Sequence, residues 1–303
     1  MSAEPQHQWI RVRLRPAMPA HHFLAQHVYP YVQTVLETGM ADSFSFFREA
    51  EPLTVVLYFK GQADVLQYML LPNTIEHFQR LLGEFAVNGH QYQPDLLRYG
   101  GPTGHFLSML QYRAASEMVL EQLSRHRHGW SLACAADIAR RLHLDLLFRL
   151  QMSPATGRAF FQQLYEHHRY GQGPLRPTVD DGTLAGQQYA RDREWWDQLH
   201  RQPPTDAHWC RWDSMQQIIG NSLERALVQG KLRERPAADL LRSQRRGNHD
   251  RAQLWSYYAD FVRLTNNRLG LPADHETTLY ASLARSLHRM DQPARRGAPR
   301  IVA

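Results

Sequence analysis

The spacing of apolar residues changes several times along the first hundred residues. Residues 8–15 alternate between apolar and polar side chains, which predicts a half-buried strand. Apolar residues at helical spacing over 20–36 predict a helix that stops near Gly39. Two more strands are predicted at 43–48 and 53–60. The second of them is apolar at almost every position, and we therefore expect both of its faces to be buried.

A helical pattern follows these strands and continues towards the end of the chain. Asn73 is expected to cap a helix, and the order β-α-β-β-α over residues 1–103 predicts a ferredoxin-like half. Residues 104–303 predict a mostly helical half, with a polar Pro/Gly-rich connection at 171–182 and a frayed tail from Pro293. The helices of this half are predicted at 105–124, 132–150, 155–170, 185–199, 214–228, 237–245, 250–269 and 276–290. The fold class is therefore α+β, and the two halves are expected to form one integrated domain.

Composition narrows the class of protein without identifying it. The 303 residues are 43% hydrophobic, which is typical of a soluble chain that buries a substantial core. No apolar run reaches about 18 residues, and no basic start precedes an apolar stretch. We therefore expect a cytoplasmic protein with no membrane span and no secretory signal. Cys134 and Cys210 are too few for a disulfide framework and are expected to be free thiols.

Arginine supplies nearly all of the positive charge behind the net charge of +6, because Lys60 and Lys231 are the only lysines. No predicted helix carries a dense basic face interleaved with aromatic residues, so nucleic acid is not an expected partner. A basic surface would still attract an acidic peptide. Glu166-His167-His168 lacks the spacing of a metal site, because adjacent side chains on a helix point apart. Neither a metal nor a cofactor is expected.

Two polar stretches stand out from this background. Residues 98–101 read Arg-Tyr-Gly-Gly and fall at the junction of the two halves, where pockets commonly form. Paired glycines let backbone segments approach closely. Residues 265–270 read Thr-Asn-Asn-Arg-Leu-Gly, which predicts a helix end with Gly270 as its cap. Taken singly, each stretch has a plain structural explanation: a surface ion pair for Arg98, and capping for the helix end.

In order and spacing, these stretches resemble the small lantibiotic-dehydratase-like proteins of thiopeptide biosynthesis. The resemblance includes the tryptophan-led strand at 9–14 and the segment Phe-Ser-Phe-Phe-Arg at 44–48, and it covers nearly the whole chain. Eliminating members of that family carry a His-X-Arg-X-Arg strand, a Glu-X-Glu-Arg-Tyr-Gly-Gly stretch and a late His-Asn-Asn-Arg-Leu stretch. The resemblance implies a fold similar to the elimination domain of lanthipeptide dehydratases.

Several basic residues of the eliminating members are absent here. With one gap allowed, Thr54, Val56 and Tyr58 occupy the positions of the basic strand, and Thr265 replaces the late histidine. Arg98 and Arg268 remain. Elimination of a glutamyl ester needs a base and several cations placed together. The resemblance therefore implies a stand-alone pyridine synthase instead of an eliminase.

A pyridine synthase of this family joins two dehydroalanines of one modified peptide by a formal [4+2] cycloaddition, and then loses water and the leader peptide. The resemblance implies that Arg98 donates to the developing oxyanion or the departing water, and that Tyr58 and Tyr257 donate protons. The implied substrate-binding residues are Arg48, Tyr99, Trp255, Tyr258, Thr265, Asn266 and Arg268, and the implied contacts with an acidic leader are Arg11, Arg13 and Arg15.

Several alternatives stay open at this point. Core packing explains the aromatic residues of 255–258, and a solvated strand face explains the arginines of 11–15. For the whole protein, the alternatives are the glutamate-eliminating subunit of a split dehydratase and a non-catalytic partner that binds the leader peptide.

Overall fold

The computed structural model describes residues 7–49, 53–172, 182–202, 204–235 and 249–292. It confirms the predicted α+β class, because a small antiparallel sheet is followed by a mostly helical region.

The sheet has four antiparallel strands in the order β2-β3-β1-β4. The strands are β1 (His7–Leu14), β2 (Ser43–Glu49), β3 (Thr54–Gln62) and β4 (Val87–Tyr92). The first three confirm the expected strands, and the strand order is that of a ferredoxin-like sheet. The sequence pattern does not predict β4, because its residues Val-Asn-Gly-His-Gln-Tyr are mostly polar. That composition suits an edge strand with exposed side chains.

Two interrupted helices connect these strands. They consist of α1 (Ala20–Phe23), α2 (Tyr29–Glu37), α3 (Ala63–Val65) and α4 (Leu71–Leu82), with π-helical turns at Leu24–Val28 and Leu66–Leu70. The prediction that Asn73 caps a helix is wrong, because helical structure already begins at Ala63 and Asn73 lies inside α4. Each π-turn precedes a helix that has proline, Pro30 or Pro72, in its first turn. Proline lacks a backbone N–H, so the helical hydrogen-bond pattern changes there.

The region after the sheet is helical. Its helices are α5 (Pro102–Arg125), α6 (Leu132–Arg149), α7 (Pro154–Gln172), α8 (Gly182–Arg201), α9 (Ala207–Val228), α10 (His249–Leu269) and α11 (Ala273–Asp291). α9 begins earlier than expected because Asp206 caps it: the carboxylate accepts hydrogen bonds from the backbone N–H groups of His208 and Trp209.

Some expectations concern residues outside the described ranges. These are the helix at 237–245, most of the connection at 171–182 and the tail from Pro293. The division between residues 103 and 104 stays a prediction. Within the described residues, no helix combines the length and the apolar character needed to cross a membrane.

The two faces of the sheet have different surroundings. Ile10 of β1 is buried in the core on the face that α4 covers. Trp9 and Arg11 alternate onto the opposite face, because successive side chains of a strand point to opposite sides. Phe47 of β2 extends this opposite face, and its ring packs edge-on against Tyr112 of α5. The opposite face is therefore the boundary between the sheet and the helical region.

Candidate active-site cleft

A cleft of about 240 Å³ lies between this second face of the sheet and the helices α5 and α10. It brings together four residues selected by the sequence analysis: Arg48, Tyr58, Arg98 and Tyr99. The residues that the structure adds to the lining are Trp9, Ser45, Phe47, Glu49, Val56, Tyr92, Met109, Tyr112, Asp260, Arg263, Leu264 and Asn267. The cleft therefore lies at the junction of the sheet and the helices, where binding sites commonly form.

Aromatic rings form a continuous wall along one side of the cleft. The ring centroid of Tyr58 lies 5.7 Å from that of Phe47 and 5.0 Å from that of Tyr92. Phe47 in turn lies 5.4 Å from Tyr112. Trp9 joins the same face because it pairs with Tyr92 in the β1–β4 register. Most of this wall was not predicted as a site, because the alternation of each strand gives no indication of which strands become neighbours.

Tyr58 and Tyr99 are hydrogen-bond donors in the cleft at neutral pH. Burial raises the pKa of Tyr58, and it raises the pKa of Tyr99 to about 12. Tyr92 raises both pKa values further, whereas the positive charge of Arg98 lowers them. The phenol groups of Tyr58 and Tyr99 therefore keep their protons. Arg98 is exposed, and its guanidinium has no hydrogen-bond or ion-pair partner within the described part of the chain.

The turn that presents Arg98 depends on glycine. Gly100 and Gly101 adopt φ angles of +73° and +94°, which favour glycine. A Cβ atom added to Gly100 would lie 2.3 Å from the hydroxyl oxygen of Tyr257. That hydroxyl donates a hydrogen bond of 2.7 Å to the backbone carbonyl of Tyr99. Tyr257, which was expected to be a proton donor in the site, is instead fully buried beneath the turn and does not line the cleft.

Arg235 fixes the same turn from a distant part of the sequence. Its Nε donates to the carbonyl of Arg98 at 3.1 Å, and its Nη1 donates to the carbonyl of Ser256 at 3.0 Å. Its Nη2 forms an ion pair with Asp260, and its guanidinium lies 4.6 Å from the ring centroid of Tyr257. No local motif marks Arg235, and sequence reasoning missed it.

The end of α10 is tied to its surroundings by consecutive side chains. Asn266 is buried and bonds to the Nε2 atom of His143 at 2.8 Å and to the hydroxyl of Tyr280 at 3.0 Å. Asn267 forms a clip on β2: its Oδ1 accepts from the backbone N–H of Arg48 at 2.9 Å, and its Nδ2 donates to the Arg48 carbonyl at 2.7 Å. Asn266 therefore faces the helical core, and Asn267 contributes to the cleft.

Arg268 is a fully buried cation behind the aromatic wall. Its Nε donates to the hydroxyl of Ser116 at 2.9 Å, and its Nη1 donates to the carbonyl of Leu264 at 2.8 Å. Its guanidinium lies 4.3 Å from the ring centroid of Phe47 and 5.2 Å from that of Tyr112. Burial lowers the pKa of Arg268 to about 9. Arg268 thus supports the wall from behind and does not line the cleft.

Three further residues that were expected to bind substrate lie in the helical core. Trp255, Tyr258 and Thr265 are each less than 5% exposed and do not line the cleft. The ring of Trp255 packs edge-on against Phe160 at 5.5 Å. Stacking of Trp255 or Tyr258 on a substrate ring is therefore not compatible with this arrangement, because neither ring faces the cavity.

The arginines of β1 are less exposed than a solvated strand face would make them. Arg11 donates to Glu49 at 2.8 Å, and Arg13 forms an ion pair with the same carboxylate. The guanidinium of Arg11 also lies 5.9 Å from the ring centroid of Tyr58. Since Glu49 lines the cleft, Arg11 and Arg13 belong to its edge. Arg15 is exposed beyond the end of β1.

Potential metal ligands are dispersed. Within the described residues, no three His, Cys, Asp or Glu side chains come together as a group that could hold a metal ion. The charged side chains that line the cleft are Arg48, Glu49, Arg98, Asp260 and Arg263.

Comparison with known proteins gives a family and several similar folds. A family model described as "Lantibiotic biosynthesis dehydratase C-term" matches residues 9–287. No curated protein matches the chain. Among solved structures, the chain is similar to the tRNA-dependent lantibiotic dehydratase MibB from Microbispora sp. 107891, with 17% identity and a TM-score of 0.61. This likeness covers 96% of the chain and 29% of the dehydratase, so the chain spans less than a third of that protein.

Two smaller proteins are similar over nearly their whole length. TsrL shares 17% identity with a TM-score of 0.63, over 94% of this chain and 95% of TsrL. The pyridine synthase TbtD from thiomuracin biosynthesis shares 16% identity with a TM-score of 0.56, over 93% of this chain and 98% of TbtD. At these identities, the similarity establishes a shared fold.

Proposed function

The chain belongs to the lantibiotic dehydratase C-terminal family, and from this premise we propose that it is a cofactor-independent pyridine synthase. Its reaction is a formal [4+2] cycloaddition between two dehydroalanines of one ribosomally made, thiazole-bearing peptide. Loss of water and release of the leader peptide then give the central pyridine of a macrocyclic thiopeptide. The similarity in fold and length to the pyridine synthase TbtD is consistent with this proposal.

The observation that carries the proposal is the composition of the cleft. The cleft combines an aromatic wall with the protonated phenols of Tyr58 and Tyr99 and with the guanidinium of Arg98, which has no partner among the described residues. None of the described residues that line the cleft is a histidine. Removal of an α-proton calls for a general base near the substrate, and the two carboxylates of the lining, Glu49 and Asp260, are held in ion pairs with arginines. A cycloaddition chiefly needs two alkenes held against each other, and an apolar wall suits that task.

Two side chains take the polar roles in this reaction. Arg98 donates to the amide oxygen that becomes the imidic acid, and it stabilises the negative charge that develops as water departs. Tyr58 lies within the electrostatic influence of Arg98 and keeps its proton at neutral pH, so it serves as the proton donor. Tyr257 is a positioning residue, because its hydroxyl supports the turn that carries Arg98.

The leader peptide binds outside the cleft in this proposal, since 240 Å³ holds only the reacting part of a peptide. Arg11 and Arg13 share Glu49, so this cluster has two cations for one carboxylate and keeps a positive charge. An acidic leader is attracted to this edge of the cleft and to Arg15 beside it.

Glutamate elimination is the second candidate, and one observation favours it. Tyr58 and Val56, which stand where eliminating members have basic residues, lie directly opposite Arg11 and Arg13 in the β1–β3 register. Cations are therefore present on the same sheet face, one strand away. Both arginines form ion pairs with Glu49, and this makes glutamate elimination the weaker candidate.

One experiment separates the candidates. The purified protein is incubated with a fully dehydrated thiazolyl peptide that carries its leader, and separately with a glutamylated peptide, and the masses of the products are followed. A macrocycle together with a leader carboxamide is expected from the first substrate. Loss of glutamate from the second substrate would favour elimination, and tight binding of the leader without turnover of either would indicate a non-catalytic partner.

A further inference from the structure

A buried hydroxyl at the β2 side of the cleft has no hydrogen-bond partner in the part of the chain that the structure describes. Ser45 is 2% exposed, and its Oγ makes no hydrogen bond to any described residue. Buried hydroxyl groups are normally hydrogen-bonded, because an unpaired one loses its interactions with water without replacement. An orphaned hydroxyl in the lining of a binding cleft therefore indicates a ligand that supplies the missing partner.

The register of the sheet directs Ser45 into the cleft. Ser45 pairs with Tyr58 of β3, and cross-strand partners share one face of a sheet. Its neighbours Phe44 and Phe46 alternate onto the other face and are buried in the core. Ser45 is thus a polar group set among apolar neighbours, at a position where an alanine would satisfy the packing alone.

The surroundings of Ser45 favour an electron-rich partner. The hydroxyl of Ser116 accepts hydrogen bonds from the backbone N–H of Phe46 and from Nε of Arg268. The Ser116 hydroxyl therefore bridges the buried guanidinium of Arg268 and the backbone of Phe46, the residue next to Ser45. The Nη2 atom of Arg268 has no partner among the described residues, so its charge is incompletely neutralised. A nearby positive charge stabilises an acceptor oxygen more than a donor group.

From these observations we infer that Ser45 is a substrate-recognition residue whose hydroxyl donates a hydrogen bond to a backbone carbonyl oxygen of the bound peptide. This inference rests on the proposed function for the nature of the substrate. Ser45 lies on β2, at one edge of the sheet, and Arg98 follows β4, at the other edge. The two polar groups therefore contact the peptide from opposite sides of the aromatic wall, and Ser45 contributes to binding while Arg98 acts on the reacting amide.

The test compares Ser45→Ala with wild type in turnover, in peptide binding and in thermal unfolding. Loss of the hydroxyl leaves a buried carbonyl of the substrate unpaired, so KM should rise by roughly tenfold with kcat unchanged. Tm should stay the same or rise, because the protein loses an unsatisfied buried group. A structural serine would show the opposite pattern.

Ser286→Ala is the matched control. Ser286 is also buried, lies outside the cleft, and donates to Asp192 at 2.6 Å. Its replacement should lower Tm and leave KM unchanged. An unchanged KM in Ser45→Ala overturns the inference, and so does a lower Tm or a failure to fold. Wild-type protein that binds the peptide without turnover contradicts the proposed function alone, and the binding constant of Ser45→Ala then decides the role of Ser45.

Discussion

At the scale of single residues, the site is defined by which polar groups lack a partner. Two of the buried arginines are held by carboxylates: Arg140 pairs with Asp192, and Arg235 pairs with Asp260. Arg98 is different, because its side chain is exposed in the cleft without a partner among the described residues. A side chain that lines the cleft and makes no hydrogen bond or ion pair with the described residues is a good candidate for chemistry.

Replacement of Arg98 by alanine should therefore abolish most of the activity and leave the fold intact. Removing a donor that stabilises developing charge typically slows turnover by about 100-fold or more. The measurement is the rate of macrocycle formation by mass spectrometry, together with a thermal melt. Arg80→Ala is the control, since Arg80 lies on the exposed surface of α4 and pairs with Glu76. Full turnover by Arg98→Ala would refute the assigned role.

At the scale of secondary-structure elements, the end of α10 holds the sheet and the helices together. Asn266 bonds into the helical core, Asn267 bonds to β2, and Arg268 bonds to α5. The sequence predicts the helix end correctly, with Gly270 at φ +80° as the cap. It does not predict that Asn267 faces the cleft and Asn266 does not, because that depends on which elements pack beside α10.

The two hydrogen bonds of the Asn267 clip should contribute measurably to the free energy of unfolding. Asn267→Ala removes both hydrogen bonds to the Arg48 backbone, and we expect the free energy of unfolding to fall by about 2 kcal/mol. Asn267→Asp would set a carboxylate oxygen against the Arg48 carbonyl oxygen that Nδ2 now bonds, so its loss should be at least as large. Urea unfolding provides the measurement. Asn88→Ala on the exposed side of β4 is the control. An equal fall in the free energy of unfolding of both alanine variants would contradict a stabilising role for the clip.

At the scale of the whole molecule, buried histidine and buried carboxyl groups have opposite effects on how stability changes with pH. Burial lowers the pKa of His143 to about 4, and it raises the pKa values of Asp145 and Glu276 to about 7. Protonation of His143 in the unfolded chain removes stability as the pH falls from about 6.5 towards 4. Deprotonation of the two carboxyl groups in the unfolded chain removes stability as the pH rises from about 4 to 7. The two effects partly cancel, so the stability of the protein should fall as the pH rises over this range, but less steeply than the two carboxyl groups alone would make it.

His143→Gln should reveal the contribution of the carboxyl groups. Glutamine keeps a donor for Asn266 and does not titrate, so the stability of the variant should fall more steeply than that of wild type as the pH rises from 4 to 7. Each titrating group changes the free energy of unfolding by at most about 1.4 kcal/mol per pH unit. Urea unfolding across this range measures the slope. Identical slopes for wild type and variant would show that His143 does not titrate in this way.

The sequence predicts more of the fold than of the candidate site. The strands β1 to β3 follow from alternation and apolar content, whereas the polar edge strand β4 carries no such signal. The glycines at 100 and 101 mark a tight turn correctly. Arg235 lies 137 positions from Arg98, and no local pattern encodes the bond between them. The aromatic rings of 255–258 were read as site candidates because adjacency in sequence does not reveal that their helix is covered on several sides.

If the proposed reaction takes place in this cleft, the bonds at the end of α10 bear on the size of the ring that forms. Because this end is fastened to the sheet and to the neighbouring helices, the width of the gap between them cannot change without disturbing the core. The gap between the sheet and the helices is therefore rigid. In the proposed reaction, the bulk of lining residues such as Phe47 and Met109 would then decide how much room the reacting peptide has.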